Sequence, residues 1–216
     1  MKLISVNVGL PRLIEYNGET ISTGIFKEPV SGTVKVKKLN LEGDGQADLI
    51  SHGGWSKAVY AYPQEHYKFW KAELPETDLP FGMFGENLTT QGLLETEVFI
   101  GDKFKIGTAE FIATEPRLPC FKLGIRFGRT DIIRRFQQSG RTGIYLSVVK
   151  SGRLQSGDDI KLISRDENKV SVSDLMRLRF VDKDDVETMK SALRIQTLPE
   201  HWRKQFLQRI EKTMAL

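Results

Sequence analysis

The sequence predicts a mainly β fold, a barrel or a sandwich, followed by a small segment of three helices. From Met1 to about Arg165 the chain reads as short alternating runs separated by Gly- and Pro-containing turns, the pattern of many short strands. After Arg165 apolar residues recur at helical spacing. We therefore divide the chain into a β domain, residues 1–165, and a helical domain, residues 166–216, with the polar segment SRDENK as the linker.

The strands are predicted at the alternating runs, which in chain order include LISVNV, VKVKKL, KAVYAYP, FIATEP and IYLSVVK. VFIGDKFKIG and VVKSGRLQSGDDIKLI predict hairpins or β-arches, because a Gly-Asp pair leads into an alternating run in each. Two helices interrupt the strands. PQEHYKFWKAEL starts at Pro63 and has Tyr67, Trp70 and Leu74 at helical spacing, and TDIIRRFQQSG ends at Gly140.

Three helices are predicted near the end of the chain. SVSDLMRLRF begins with the capping-box pattern of Ser171 and Asp174. DKDDVETMKSALRI begins with carboxylates and ends with a basic residue, as the helix dipole favours. LPEHWRKQFLQRIEKTM repeats apolar residues at Trp202, Phe206 and Ile210.

The composition narrows the function classes. The net charge is +4 over 216 residues, with Lys and Arg spread along the chain, whereas nucleic-acid binders concentrate them on one face. A single cysteine cannot form an internal disulfide. No apolar run approaches the ~18 residues of a membrane span, and the N-terminus lacks the apolar stretch of a secretory signal. We expect a soluble cytoplasmic protein with no membrane partner.

Several familiar sites are disfavoured by their missing sequence context. GDGQAD at Gly43–Asp48 lacks the third glycine of a dinucleotide fingerprint and leads to a strand, so a tight turn explains it better. One cysteine and three scattered histidines give no zinc spacing. No nucleophile-elbow pattern surrounds Cys120, and one cysteine cannot hold an iron–sulfur cluster.

Two Gly-rich segments remain open to a functional or a structural interpretation. In HGGWSKAVYAY the glycines after His52 would let a ligand approach the backbone, and Lys57 precedes an apolar strand. The same glycines can serve a β-bulge. In FGMFGENLTTQGL, Glu86 and Asn87 could place a proton donor and an orienting amide, and a solvated turn is the alternative.

The segment TEPRLPCFKLG contains the single cysteine, Cys120. Pro116 and Pro119 fix φ and bias the residues before them to extended conformations, so the loop is stiff. Arg117 and Lys122 favour the thiolate by their charge. A thiolate is the ligand that a soft metal centre would use, while a buried structural cysteine is the alternative.

Six segments in register resemble the MOSC domain (molybdenum cofactor sulfurase C-terminal), and more narrowly its bacterial YiiM-type branch. They are EPVSGTVKV, LNLEGDGQADLISHGGWSKAVYAYPQEHY, GMFGENLTTQGL, IGDKFKIG, PRLPCFKL and GRTGIYLSVVKSG. The similarity runs from about Gly24 to Leu162, and the tail resembles the three-helix segment of that branch. The resemblance implies a MOSC-type β-barrel with a few peripheral helices.

The resemblance also implies a function that depends on the molybdenum cofactor, a pterin (molybdopterin) whose dithiolene sulfurs hold molybdenum. The implied activity is reduction of N-hydroxylated base analogues such as hydroxylaminopurine to amines, a detoxification. Cys120 matches the cysteine that supplies a further sulfur ligand to the metal. Glu86 and Asn87 are expected to position substrate or relay a proton.

Six residues are expected to hold the cofactor, three by charge and three by close approach of the backbone: Lys57, Arg117 and Arg141, and His52, Gly53 and Gly54. Electrons must come from an external flavin or iron–sulfur protein. The helical tail has three open roles, which are docking this donor, packing on the β domain and forming a homodimer.

Two other functions are left open by the sequence. A non-catalytic carrier of the cofactor, or of sulfur on Cys120, would use the same loop. A basic nucleic-acid module would bind DNA or RNA with strongly salt-dependent affinity.

Overall fold

The computed structural model describes residues 1–49 and 53–214, with the side chain of Met214 left out. Among these residues a mixed sheet dominates, and six helices accompany it. The strands are β1 (Lys2–Val8), β2 (Arg12–Tyr16), β3 (Glu19–Thr23), β4 (Glu28–Val30), β5 (Val34–Val36), β6 (Val59–Pro63), β7 (Leu88–Gln91), β8 (Lys103–Ile106), β9 (Ala109–Pro116), β10 (Ile144–Lys150), β11 (Gly152–Leu154) and β12 (Ile160–Ser164).

The helices are α1 (Glu65–Glu73), α2 (Phe121–Phe127), α3 (Ile132–Ser139), α4 (Val172–Phe180), α5 (Val186–Arg194) and α6 (Glu200–Met214), and a 3-10 turn covers Trp55–Lys57. The predicted α1, α3 and C-terminal helices are confirmed, whereas α2, which begins directly after Cys120, was not predicted. Their ends follow the predicted local chemistry. Gly140 ends α3 in the left-handed conformation at φ 65°, and Ser171 Oγ accepts a hydrogen bond from Asp174 N at 3.0 Å.

Eight strands form one sheet in the order β12-β8-β9-β10-β6-β7-β1-β4. All its pairs are antiparallel except β6 with β7. Outside this sheet β5 pairs with β11, and β2 pairs with β3. The β2–β3 hairpin turns at Asn17 and Gly18, which both have positive φ, as a type I′ turn requires.

The two segments predicted as hairpins or β-arches are arches, because their arms pair with other strands. In VFIGDKFKIG, Ile100 N donates to Val170 O while β8 pairs with β9 and β12. In the second segment β11 pairs with β5, and β12 pairs with β8. The Gly-Asp pattern therefore located the turns correctly but did not identify the strand partners.

The predicted barrel is not confirmed, although the two ends of the sheet approach each other. Lys2 forms an isolated bridge with Asp159. Leu3 N donates to Asp158 O at 2.9 Å, and Ile160 N donates to Met1 O at 3.0 Å. These contacts join the start of β1 to the start of β12, but the strand ladders of the described residues do not form a closed ring.

Two hydrophobic clusters are found among the described residues. The larger contains sheet residues such as Phe104 and Phe111 together with Leu175, Trp202 and Phe206 of the C-terminal helices. Full burial of each such side chain contributes ~1.5–3 kcal/mol. The helical segment therefore shares one core with the sheet, and the division at residue 165 stays a prediction.

The smaller cluster is aromatic and lies on the other side of β6. The ring of Tyr62 stacks on Phe84 at 4.4 Å between centroids, and Trp70 stacks on Phe136 at 6.0 Å. Tyr62 comes from β6, Trp70 from α1 and Phe136 from α3. This cluster fixes the loop around Phe84, which forms part of the cleft described below. None of the helices in the described part of the chain has the length and apolarity to span a bilayer.

Candidate functional site

An open cleft with about 590 Å³ of empty space, its mouth included, lies where several loops meet beside β6 and β10 in the middle of the sheet. Its walls come from residues 23–27, 44–48, 57–60, 85–87 and 117–122, and from Tyr145. Four of the predicted site residues line it: Lys57, Asn87, Arg117 and Cys120. Segments that are far apart in the sequence are thus brought to one site.

Cys120 is half-buried at the junction of β9 and α2. Its backbone is extended, with φ −126° and ψ 172°, and α2 begins at the next residue. Leu123 N donates to Cys120 O at 2.9 Å. The stiff loop predicted from Pro116 and Pro119 therefore ends in a helix that fixes where the thiol lies along the cleft wall.

Arg117 is a buried cation in the same wall. Its guanidinium donates to Phe84 O and lies 5.0 Å from the centroid of the Tyr60 ring. Burial acts to lower the pKa of Arg117, but the neighbouring oxygens of Tyr60 and Tyr145 and the Cys120 sulfur outweigh it, so the pKa is raised. Arg117 is therefore a permanent positive charge beside the thiol.

Lys27 and Asp44 form a buried ion pair that also lines the cleft, and neither residue was predicted as part of the site. Asp44 also accepts hydrogen bonds from Gly9 N at 3.0 Å and from Asn87 Nδ2 at 2.9 Å. Burial lowers the pKa of Lys27, and the charge of Asp44 opposes this shift. Asp44 lies in the GDGQAD segment, where the turn interpretation gave no reason to expect a buried carboxylate.

Asn87 lines the cleft, and its amide connects the loops around it. Its Oδ1 accepts from Tyr60 N at 3.0 Å, and its Nδ2 donates to Asp44 Oδ2 and to Asn7 O. The side chain thus joins β1, β6 and the loop of Asp44. This arrangement orients the Lys27–Asp44 pair, and the role expected for Asn87 in positioning substrate stays a prediction.

Glu86 lies behind the cleft wall and is completely buried. Its Oε1 accepts from Gly82 N at 2.8 Å, from Thr89 Oγ1 at 2.9 Å and from the Tyr67 hydroxyl, and its Oε2 accepts from Phe84 N at 3.1 Å. Burial raises the pKa of Glu86, and these hydrogen bonds oppose the shift. The geometry favours a structural role for Glu86, and its predicted part in proton relay is not tested.

The HGGWSK segment contributes Lys57 to the cleft but not its described glycines. Lys57 ends the 3-10 turn and lines the wall. Gly54 has φ 91°, and a Cβ on Gly53 would lie 2.7 Å from Leu49 O, so both glycines serve the turn itself. His52 lies outside the described residues.

Arg141 is not brought to the cleft. Its guanidinium lies 3.9 Å from the centroid of the Phe69 ring on α1 and donates to Ser139 O at 3.0 Å. Its backbone carbonyl accepts from the Tyr62 hydroxyl at 3.2 Å. These contacts hold the start of β10 against the aromatic cluster, so the structure gives no support to the predicted role in cofactor binding.

Tyr60, Tyr145 and Lys122 complete the cleft. The sequence indicated Lys122 by its charge but did not indicate the two tyrosines. Tyr60 donates to Thr142 O at 2.7 Å, and burial raises its pKa well above the usual value. Burial also raises the pKa of Tyr145 to about 12, with Arg117 opposing the shift. Both phenols are therefore neutral at physiological pH. Lys122 adds a cation on the same side as Cys120.

The donor set of the cleft indicates what kind of ligand it suits. In residues 1–49 and 53–214 no group of three His, Cys, Asp or Glu side chains could hold a metal ion by itself. The lining cations are Lys27, Lys57, Arg117 and Lys122, against the carboxylates of Asp44 and Asp48. One thiol within an excess of positive charge suits an anionic group whose soft metal needs a single protein ligand.

Comparisons with known proteins agree with this architecture. The MOSC domain matches residues 48–161, and the YiiM-like, 3-alpha helix domain matches residues 170–213. YflK of Bacillus subtilis is 40% identical over 214 residues, which cover 99% of this chain and 96% of that protein. The crystal structure of YiiM from Geobacillus stearothermophilus superposes with a TM-score of 0.82 at 30% identity, covering 97% of this chain and 98% of the other.

A fungal protein extends the comparison to a named activity. A protein of Gibberella moniliformis called "Reductase" is 37% identical over 179 residues. The match covers 82% of this chain but only 32% of the fungal protein. This chain therefore corresponds to about a third of that reductase.

Proposed function

Because this chain belongs to the MOSC domain family and has the YiiM-like helical domain at its C-terminal end, we propose that it is a molybdenum-cofactor-dependent reductase of N-hydroxylated compounds. The balanced reaction is R–NHOH plus two electrons and two protons to R–NH2 and water. The observation that supports this most is the position of Cys120 in a cleft with four cationic side chains. We propose base analogues of the hydroxylaminopurine type as substrates, with detoxification in the cytoplasm as the role.

The residues of the cleft suit the molybdenum cofactor. When bound, this group supplies two-electron redox chemistry at the metal. Cys120 would provide a thiolate ligand to it. Arg117 and Lys57 would bind the anionic phosphate or dithiolene side, since both line the cleft and Arg117 is held in place by its bond to Phe84 O.

We assign proton delivery to Lys27. The departing oxygen needs a proton, and the Lys27 ammonium is a buried acid that lines the cleft. Its lowered pKa makes it a better proton donor than an exposed lysine. Asp44 and Asn87 orient it, so Asn87 acts through this pair and Glu86 supports the loop on which Asn87 lies.

Electrons must come from a second protein. The single cysteine cannot hold an iron–sulfur cluster, so we propose an external flavin or iron–sulfur protein as the donor. The fungal relative named as a reductase supports the class of reaction.

The test is turnover of hydroxylaminopurine by protein that is purified from a molybdenum-replete host and given a chemical reductant. We expect about one molybdenum per chain in the wild type, formation of the amine, and loss of turnover in Cys120→Ser. Protein that carries molybdopterin but never reduces the substrate would be a cofactor carrier. Wild-type protein that neither contains nor takes up molybdopterin would refute the proposal.

A further inference from the structure

Glu115 is a buried carboxylate near the end of β9 that joins two distant parts of the chain. Its exposed fraction is 1%. Oε1 accepts a hydrogen bond from Ser56 Oγ at 2.9 Å. Oε2 accepts from Trp202 Nε1 at 3.1 Å and lies 3.0 Å from His201 Nε2. One side chain thus connects the 3-10 turn before β6 with helix α6.

Ser56 and Glu115 are both close in sequence to residues that line the cleft. Ser56 precedes Lys57, which lines the cleft, and Glu115 lies two residues before Arg117 on the segment that leads to Cys120. Thr114 Oγ1 lies 2.6 Å from Ser56 O, so the turn is held on β9 by two neighbouring residues. A displacement of Glu115 would therefore move the backbone on both sides of the cleft.

The donor from α6 is fixed in position. Trp202 is completely buried in the cluster that α6 shares with the sheet. Its ring lies 5.6 Å from that of Phe206, so its N–H cannot turn away from Glu115 without disturbing the core. Because a buried carboxylate needs its hydrogen-bond donors, the position of α6 determines where Glu115 lies.

We propose that the C-terminal helical segment is a structural part of the cleft, in which Trp202 and His201 act through Glu115 as positioning residues for Lys57, Arg117 and Cys120. The importance of these three residues for cofactor binding rests on the proposed function. The mechanical coupling between α6 and the cysteine loop does not, and it is measured without cofactor.

The test uses the single cysteine as a reporter. The rate of alkylation by iodoacetamide in the cofactor-free protein reports on Cys120 alone, because the chain has no other thiol. Trp202→Phe keeps an aromatic ring in the core and removes the indole N–H together with the pyrrole ring, and the control variant below accounts for the lost packing. We expect alkylation to be about fivefold faster, the factor that corresponds to ~1 kcal/mol for one hydrogen bond. His201→Ala, at a half-exposed pair, should give about twofold.

Ile210→Ala is the matched control, since Ile210 packs α6 against the same core but lies two helical turns, about 12 Å, from Trp202. We expect its alkylation rate to stay within about 1.5-fold of the wild type, although its melting temperature falls. An unchanged rate in Trp202→Phe, or an equal acceleration in Ile210→Ala at the same loss of melting temperature, would overturn the inference. If Trp202→Phe accelerates alkylation of Cys120 in a protein that never binds molybdenum, this inference holds and the proposed function is refuted.

Discussion

The loop at residues 82–89 and the loop at residues 116–121 contain the two predicted groups of catalytic residues, and they differ in where their polar side chains find partners. Glu86, in the first loop, receives all its hydrogen bonds from that loop and from Tyr67. In the second loop Arg117 and Cys120 line the cleft, and Arg117 bonds outward to Phe84 O of the first loop.

The first loop therefore has a mainly structural role, and the second loop presents side chains to the cleft. A carboxylate that is completely buried among four donors stabilises the backbone around it. Gly82 shows how tightly the first loop is packed, because a Cβ there would lie 2.6 Å from Lys27 O at a φ of 87°. The first loop therefore holds the Lys27 wall in place, and the second presents the thiol and the permanent cation.

The largest effect is expected from Glu86→Ala, which would break the first loop. Removal of the carboxylate leaves the donors of Gly82, Phe84 and Thr89 without their acceptor in the interior. We expect the free energy of unfolding to fall by about 3–5 kcal/mol, as measured by urea denaturation. A variant that keeps its stability but loses turnover would instead make Glu86 a catalytic residue.

The second loop is tested by a matched pair of arginine substitutions. Arg117→Gln removes the buried cation of the cleft, and we expect the molybdenum content at limiting cofactor to fall about tenfold or more, the loss of ~1.4 kcal/mol or more of binding. Arg141→Gln removes an arginine that packs on Phe69 away from the cleft. Its molybdenum content should stay within about twofold of the wild type. Equal losses of molybdenum in the two variants would contradict the assignment of Arg117, and not Arg141, to the cleft.

The smallest effect concerns the dependence of stability on pH. The folded-state pKa of Lys27 is lowered by burial, so the unfolded chain holds this proton at pH values where the folded chain has released it. Stability therefore rises with pH between the folded-state pKa and the ordinary lysine pKa of 10.5. We expect the free energy of unfolding of wild type relative to Lys27→Met to increase as the pH rises toward 10.5. A flat or falling difference would contradict the lowered pKa.

Features that depend on neighbouring residues were predictable from the sequence. The capping box at Ser171, the left-handed Gly140 and the stiff Cys120 loop all follow from local backbone chemistry and are found where the sequence indicates. The hairpin at Asn17 and Gly18 was not predicted, although an Asn-Gly pair between alternating runs is a strong signal for it.

Features that depend on long-range pairing were not predictable. Lys27 and Asp44 meet only because β4 and the turn of Asp44 both lie beside the end of β1, and no spacing in the sequence reveals this. The contacts of Glu115 with Ser56 and Trp202 have the same origin. Arg141 and Arg117 look equivalent in the sequence, and only the fold places one in the cleft and the other against α1.

The central claim is that Cys120 is a ligand of molybdenum. X-ray absorption at the molybdenum edge of the wild type and of Cys120→Ser, each loaded with the cofactor, counts the sulfur atoms bound to the metal. The account predicts one sulfur ligand fewer in the variant, with the dithiolene sulfurs retained in both. The same number of sulfur ligands in the two proteins would contradict it.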